Sequence, residues 1–155
     1  MTSPLTPEIL IYDLQTAGDP QLSPDGERVL YTHGQLGRGK QKGTSQLWLC
    51  DRDGGNARQL SGVGERNGGG RWSPDGEQVA FVSDRSGGKD KDQGAALYIL
   101  PLGLGGEARE VTRHARGLSD LAWSPDGRYI AYAALYDPAN PDDTPPPTVP
   151  RRRCA

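Results

Sequence analysis

Short apolar runs recur along this chain at a nearly constant interval, and the same polar segment, Ser-Pro-Asp-Gly, precedes each of them. The runs occupy residues 29–31, 79–81 and 130–132. The interval from Pro24 to Pro74 is 50 residues, and the interval from Pro74 to Pro125 is 51 residues. A fixed turn and a fixed apolar run at such a period are typical of a repeat architecture.

Each repeat predicts a set of short antiparallel strands. The segment Ser-Pro-Asp-Gly has the residues of a type I turn, with proline at the second position and a glycine that accepts positive φ at the fourth. The apolar run after it alternates with polar residues and is rich in β-formers, which predicts a strand. Third strands are predicted at 46–50 and 96–100, and fourth strands at 57–60 and 108–112. Four such strands in about 40 residues match one blade of a β-propeller.

The third repeat stops after two predicted strands. We therefore predict an all-β fold, an incomplete β-propeller of about two and a half four-stranded antiparallel blades, preceded by a short N-terminal helix. Residues 1–18 form the helical segment, because Thr6 can cap a helix, Pro7 suits its first position and 18–20 (Gly-Asp-Pro) ends it. Residues 19–136 form the partial propeller, with blades at about 19–61, 70–112 and 118–136. The proline-rich residues 137–155 form a disordered tail.

The composition of the chain limits which partners the protein can bind and in which cellular compartment it is expected. The chain of 155 residues has 22 glycines, 13 prolines and a net charge of −2, so no single-sign field attracts nucleic acid or a membrane surface. The two cysteines are too few for a disulfide framework, and Cys50 is expected to be a small buried apolar residue. The N-terminus lacks a secretory pattern and no window is long and apolar enough to span a membrane. We expect a cytoplasmic protein.

Two loops imitate known binding motifs. Residues 34–40 fit the letters of a phosphate-binding loop, G-x-x-x-x-G-K, but Gln41 stands where that loop needs Ser or Thr, and a strand rather than a helix follows. Asp51 and Asp53 resemble the start of a calcium loop, but Asn56 and Gly62 occupy the positions that require Gly and Glu. A basic hairpin loop and a hairpin turn are the favoured interpretations.

No catalytic set can be assembled from the remaining polar residues. His33 and His114 are predicted in loops of different blades, without the paired spacing of metal ligands. Ser45 and Ser119 both lack the last glycine of a G-x-S-x-G elbow. We therefore predict no catalytic residue, cofactor site or metal site. The remaining pair, 84–85 (Asp-Arg), is expected to brace the loop between strands.

The three repeats resemble those of TolB-type, WD-like propellers, and the run 81–87 (Phe-Val-Ser-Asp-Arg-Ser-Gly) with the strands after it resembles a complete repeat. The N-terminal pieces 5–10 and 18–26 are similar to the start of prolyl oligopeptidase-family serine peptidases, particularly the acylaminoacyl-peptidase-like branch. The resemblance implies a propeller of about seven blades that restricts peptide entry to an α/β-hydrolase domain carrying Ser, Asp and His.

This chain departs from that family because it holds about two and a half blades and no counterpart of the catalytic residues. We expect it to be a non-catalytic, N-terminal propeller fragment whose partners are the remaining blades and the hydrolase domain of the same parent chain, with peptide bound only in that context. The alternative is a TolB-like propeller module for protein–protein interaction. A G-x-S-x-G serine elbow encoded a few hundred residues downstream in the gene would support the peptidase fragment, whereas its absence would support the interaction module.

Overall fold

The chain forms β-sheets throughout the part that its structure describes. The computed structural model describes residues 14–37, 42–85, 94–103, 106–114, 116–136 and 138–139. No helix occurs in these ranges, and hence none that is long and apolar enough to cross a membrane. Residues 1–13 of the predicted helical segment 1–18, and the predicted tail apart from 138–139, lie outside the described residues. For the end of the helical segment the prediction is wrong, because residues 15–18 form part of a β-strand that pairs with residues 32–35.

Within the described ranges, ten strands build three antiparallel sheets. The strands are β1 (Gln15–Leu22), β2 (Arg28–Gln35), β3 (Thr44–Asp51), β4 (Arg58–Gln59), β5 (Asn67–Trp72), β6 (Gln78–Ser83), β7 (Ala96–Pro101), β8 (Arg109–Arg113), β9 (Leu118–Trp123) and β10 (Ile130–Ala134). The first two sheets have four strands each, in the orders β1-β2-β3-β4 and β5-β6-β7-β8. The third has two strands, β9 and β10. The predicted all-β, partial-propeller architecture is confirmed.

The first hairpin of the first sheet is longer than the sequence predicts, because both of its strands extend further at the open end. β1 begins at Gln15, before the predicted start of the first blade at residue 19, and β2 continues beyond the apolar run 29–31, through His33 and Gly34, to Gln35. The prediction of His33 in a loop is therefore wrong. The reason is that the backbone ladder persists past the glycine, since Gly34 pairs with Thr16 on one side and Ser45 on the other.

The three Ser-Pro-Asp-Gly segments form the same turn. In the first, the Gly26 N–H donates to the Ser23 carbonyl at 2.8 Å, and Gly26 has φ of 75°. Gly76 and Gly127 repeat this with φ of 72° and 69°, which confirms the predicted left-handed glycine. A Cβ added to Gly76 would lie 3.5 Å from Pro24 Cδ, so successive turns also lie against one another.

The serine and aspartate of each turn are bonded to each other and to the strand that follows. Ser73 Oγ donates to Asp75 Oδ1 at 2.5 Å and accepts the Gln78 N–H at 2.9 Å. Asp75 Oδ1 also accepts the Glu77 N–H at 3.0 Å. The first and third turns have the same bonds, centred on Ser23 and Ser124. The hydroxyl and backbone donors lower the pKa of all three turn aspartates, Asp25, Asp75 and Asp126.

Two apolar clusters fill the spaces between sheets. Between the first and second sheets lie Leu30, Leu47, Leu49, Val79, Phe81, Ala96 and Tyr98. Between the second and third lie Ala80, Leu97, Ile99, Leu118 and Leu121. β6 and β7 serve both clusters because successive side chains of a strand point to opposite faces of its sheet. The second sheet is thus the only one of the three with both faces covered by described residues.

An indole hydrogen bond joins each sheet to the preceding one. Trp72 Nε1 donates to the Gln21 carbonyl at 3.1 Å, and Trp123 Nε1 donates to the Arg71 carbonyl at 3.1 Å. Leu22, Trp72 and Trp123 occupy the same position of the three repeats. The acceptor is in each case the residue just before this position in the preceding sheet. The first repeat has Leu22 at this position, which is 60% exposed and has no N–H donor in its side chain.

The first strand of every sheet bends at the same repeat position. Asp19, Gly69 and Asp120 occupy that position and have φ of 50°, 63° and 53°. The pairing register shifts beside each of them, as expected for a β-bulge. In the first sheet the carboxylate of Asp19 also reaches Arg71 of the second sheet, with Nη1 and Oδ2 2.8 Å apart.

Candidate functional site

The two loops that imitate binding motifs are both parts of hairpins. Gly34, the first glycine of the phosphate-loop letters, belongs to β2, while Gly39 and Lys40 lie outside the described residues. The loop of Asp51 and Asp53 is a turn closed by the Gly54 N–H on the Asp51 carbonyl at 2.9 Å. Its carboxylates accept protein donors, with the Gly55 N–H 2.8 Å from Asp53 Oδ1 and Asn56 Nδ2 2.6 Å from Asp51 Oδ2.

The histidines and serines singled out in the sequence do not meet. His33 Nε2 lies 3.1 Å from Gln15 Oε1, and its ring contacts the Trp48 ring at 5.5 Å. His114 follows β8, in the second sheet, and its buried Nδ1 has no hydrogen-bond partner among the described residues. Ser119 Oγ donates to Asp120 Oδ2 at 2.8 Å. Within the described ranges, no three His, Cys, Asp or Glu side chains are grouped so as to hold a metal ion.

The pair Asp84 and Arg85 lies at the end of β6 that is opposite the Ser-Pro-Asp-Gly turns. Asp84 Oδ1 accepts two backbone N–H groups, from Glu65 at 2.9 Å and from Arg66 at 3.0 Å. These two residues end the connection that leads from the first sheet to β5. The Asp84 carboxylate therefore fixes the connector between two blades, which is a bracing role like the one predicted.

Arg85 lies over two aromatic rings of its own sheet. Its Cζ is 4.9 Å from the Phe81 ring centroid and 4.7 Å from the Tyr98 ring centroid. Its Nε donates to Ser83 Oγ at 3.2 Å, and its Nη2 lies 3.5 Å from Asn67 Oδ1. Burial lowers the pKa of the Arg85 guanidinium, which stays protonated at neutral pH because the usual value is so high.

A buried amide connects this arginine to the first sheet, and sequence reasoning missed it. Asn67 is 1% exposed, and its Nδ2 donates to Gln46 Oε1 at 2.9 Å and to the Val63 carbonyl at 3.1 Å. Ser61 Oγ donates to the same Gln46 oxygen at 2.9 Å and accepts the Leu47 N–H at 2.8 Å. We call Gln46, Ser61, Asn67, Ser83 and Arg85 the seam network. An asparagine at the start of a strand, where this residue type is depleted, was the available signal.

The polar side chains of the seam network have a structural role. Its side chains satisfy one another and the backbone at the junction of the first two sheets, as buried polar groups require. An open cleft of about 500 Å³ lies beside it, lined in part by Lys42, Glu65 and Asp84. These charges are engaged, since Lys42 and Glu65 approach to 4.0 Å and Asp84 accepts the backbone donors. The geometry of these residues positions two blades and offers no nucleophile with an adjacent base.

Comparison with known proteins shows that the chain is similar to peptidases. No family model matches the chain. It is 40% identical over 112 residues to the uncharacterized peptidase YuxL of Bacillus subtilis, across 72% of this chain and 16% of that protein. It is 29% identical over 133 residues to dipeptidyl-peptidase 5 of Porphyromonas endodontalis, across 86% of this chain and 18% of that protein. The chain thus spans less than a fifth of the length of these curated relatives.

Solved structures give the same fold. The acylaminoacyl peptidase of Pyrococcus horikoshii matches with a TM-score of 0.62 and 18% identity, over 79% of this chain and 18% of that one. The β-propeller domain of the Trilobed protease of Pyrococcus furiosus, described as having an open velcro topology, matches with a TM-score of 0.58 and 19% identity, over 76% and 34%. The resemblance to a peptidase-family propeller is confirmed.

Proposed function

We propose that this chain is a non-catalytic propeller portion of a serine peptidase of the oligopeptidase or acylaminoacyl-peptidase type. The observation that carries the proposal is the 40% identity to a peptidase over 72% of this chain, which is matched within a small part of a much longer protein. In the parent protein the propeller restricts which peptides reach a hydrolase domain, and that domain lies beyond these 155 residues.

The arrangement of side chains supports this assignment. Many polar side chains of the described residues make their hydrogen bonds within the turns, at the connector and in the seam network, where they hold the strands and blades in place. A scaffold whose side chains brace one blade on the next suits a propeller that limits access by its shape. A cytoplasmic location remains a prediction from the sequence.

A domain exchange tests the proposal. The segment of YuxL that matches this chain is replaced by the corresponding residues of this chain, and cleavage of short aminoacyl substrates is compared with cleavage of an unfolded protein. We expect the exchanged enzyme to cleave the short substrates and to spare the long one. A matched variant with Phe81→Asp, which places a charge in the first apolar cluster, controls for blade packing.

Two results would contradict the proposal. One is a folded exchange enzyme that degrades long unfolded chains as readily as short substrates, which would remove the role in restricting access. The other is turnover of a chromogenic aminoacyl ester by the 155-residue chain alone, which would show that it contains a catalytic site. A folded but inactive exchange enzyme would favour the alternative of an interaction module.

A further inference from the structure

The buried amide of the seam network belongs to a chemically labile dipeptide. Asn67 is the one asparagine of the chain that precedes a glycine, because Ala57 and Pro141 follow the other two. Glycine has no side chain to hinder its backbone nitrogen, so the Gly68 nitrogen can attack Cγ of Asn67. A bond forms between these two atoms, and the carboxamide nitrogen leaves as ammonia with the proton that the Gly68 nitrogen gives up. Water then opens the resulting succinimide to aspartate or isoaspartate.

The closed junction between the first two sheets keeps the reacting atoms apart. Asn67 is 1% exposed, so its side chain has almost no contact with water. Its Nδ2, the leaving nitrogen, is held by the Gln46 side chain and by the Val63 carbonyl. Both residues of the dipeptide pair with β6, and an extended strand directs the side chain out of the sheet, away from the nitrogen that follows it. The reaction therefore requires that β5 leave its place.

The dipeptide also lies against the first sheet. A Cβ added to Gly68 would lie 3.7 Å from Thr32 Oγ1, which is an ordinary contact, so β5 cannot move freely while the two sheets are packed. At the matching position of the third sheet stands Leu118, which is buried and has no amide in its side chain. The labile amide is thus a feature of the first junction and not of the second.

Conversion of Asn67 to a carboxylate would reverse the hydrogen bonding at this point. The Nδ2 donor becomes an oxygen that faces two acceptors, Gln46 Oε1 and the Val63 carbonyl. Gln46 cannot turn its amide without loss, since its Nε2 donates to the Gly64 carbonyl at 3.0 Å. Arg85 approaches the other oxygen, Oδ1, at 3.5 Å and does not replace the lost donor. Isoaspartate also adds a methylene group to the backbone, which disrupts the pairing of β5.

We propose that Asn67 is a deamidation site that the seam network protects, and that its modification prevents the first two sheets from closing again as before. The amide reacts while the junction is open, because the Gly68 nitrogen can then reach Cγ. Each reaction removes a donor that the closed junction uses, so opening leaves a permanent chemical change. The proposal concerns the first two sheets and their connector, and it does not depend on the proposed function.

Peptide mass spectrometry of the 155-residue chain tests the protection. The chain is incubated in mildly alkaline buffer with and without denaturing urea, and deamidation of the peptide that contains Asn67 is followed over time. The reaction should be at least ~100-fold slower in the folded chain, since a buried segment is open in a small fraction of molecules. Gly68→Ala should slow the reaction in urea, because the added methyl group hinders the attacking nitrogen. Asn56, which precedes alanine, is the slow internal reference.

A variant of the network separates protection from intrinsic reactivity. Ser61→Ala removes a hydroxyl that donates to Gln46 and accepts the Leu47 N–H. It should raise the deamidation rate of the folded chain by about three- to tenfold and leave the rate in urea unchanged. Ser119→Ala removes a hydroxyl that is bonded to Asp120 in the third sheet and should change neither rate. Equal rates in the two folded variants would show that the network does not protect the amide.

Asn67→Asp tests the consequence of the modification. It should raise the equilibrium constant of unfolding, measured by urea titration, about 10- to 100-fold because a buried oxygen then faces two acceptors. Gln35→Glu makes the same exchange at an exposed position and should leave that constant nearly unchanged. Circular dichroism establishes that each variant keeps its sheets. An Asn67→Asp chain as stable as Gln35→Glu would overturn the proposal, and so would a wild-type chain that deamidates equally fast with and without urea.

Discussion

Trp72 donates its indole N–H to the carbonyl of Gln21 across 3.1 Å and thereby joins the first strands of two successive sheets. The residues are 51 positions apart, about one repeat. Trp123 repeats the contact with Arg71 one sheet later. The tryptophan that precedes the Ser-Pro-Asp-Gly turn is therefore a link between blades as well as an apolar residue of one blade.

Replacing this tryptophan tests the link. Trp72→Phe keeps an aromatic ring but leaves the Gln21 carbonyl without its donor, and we expect it to lower the free energy of unfolding by about 1–2 kcal/mol. Urea denaturation measures the change. Trp48→Phe is the matched control, since the Trp48 indole N–H has no hydrogen-bond partner in the described part of the chain. Equal losses in both variants would show that ring size rather than the hydrogen bond is responsible.

The turn glycines are predicted to resist substitution for a conformational reason. Gly76→Ala forces a side chain into the left-handed region at φ of 72°, and we expect a loss of about 1–2 kcal/mol. Gly103→Ala is the control, because nothing lies within 4 Å of its added Cβ and its φ is outside the left-handed region. Thermal melts of the two variants should separate clearly. A Gly76→Ala protein as stable as Gly103→Ala would refute the strain.

The turn aspartates predict a loss of stability in acid. Ser73 and the Glu77 N–H lower the pKa of Asp75 below its ordinary value of 3.8. A carboxyl whose pKa is lower in the folded state contributes stability above its unfolded pKa, and this contribution is lost as the pH falls through the folded value. Stability should therefore decline below about pH 4, and the decline should be smaller in Asp75→Asn.

The same shift is measurable at the carboxyl itself. Carbon-detected NMR titration should place the pKa of Asp75 below 3.8 in the wild type and closer to 3.8 in Ser73→Ala, because the hydroxyl is the largest cause of the shift. An unchanged Asp75 titration in Ser73→Ala would contradict the assigned cause.

Asp84 is predicted to hold the connector between the first two sheets. Asp84→Ala removes the acceptor of the Glu65 and Arg66 N–H groups and should cost about 1–2 kcal/mol. Asp84→Asn keeps an oxygen in place and should cost less. Amide hydrogen exchange should accelerate at Glu65 and Arg66 in the alanine variant. Unchanged protection of these two amides would show that the connector is held by other contacts.

The repeating parts of the fold were predictable because their signals are local. A proline that fixes φ, a glycine that accepts positive φ and an alternating apolar run act within ten residues, so the hairpins could be read directly. The ends of the strands were harder to predict. β1 begins at Gln15 because a partner strand, ending at Gln35, is there to pair with it, and no property of residues 15–19 indicates this.

The contacts between sheets were not predictable for the same reason. The partner of the Trp72 indole and the surroundings of Asn67 depend on residues from another repeat or from the connector. Asp84 could be recognised as polar and out of place after a strand, but its two backbone donors became evident only from the path of residues 61–66. The proposed function could not be derived from these contacts, because it depends on the comparison with peptidases that are much longer than this chain.

Because Leu22 stands where the other repeats have tryptophan, the first repeat is suited to the beginning of a row of blades and not to its interior. The second repeat, with Trp72, carries both the donor for the blade before it and a carbonyl for the blade after it, so it is the natural unit for tandem duplication. The first repeat offers a carbonyl but no donor, and copies of it placed in the interior would lack one hydrogen bond at every junction. An engineered propeller built from this sequence should therefore multiply residues 62–112 and keep residues 15–61 for its beginning.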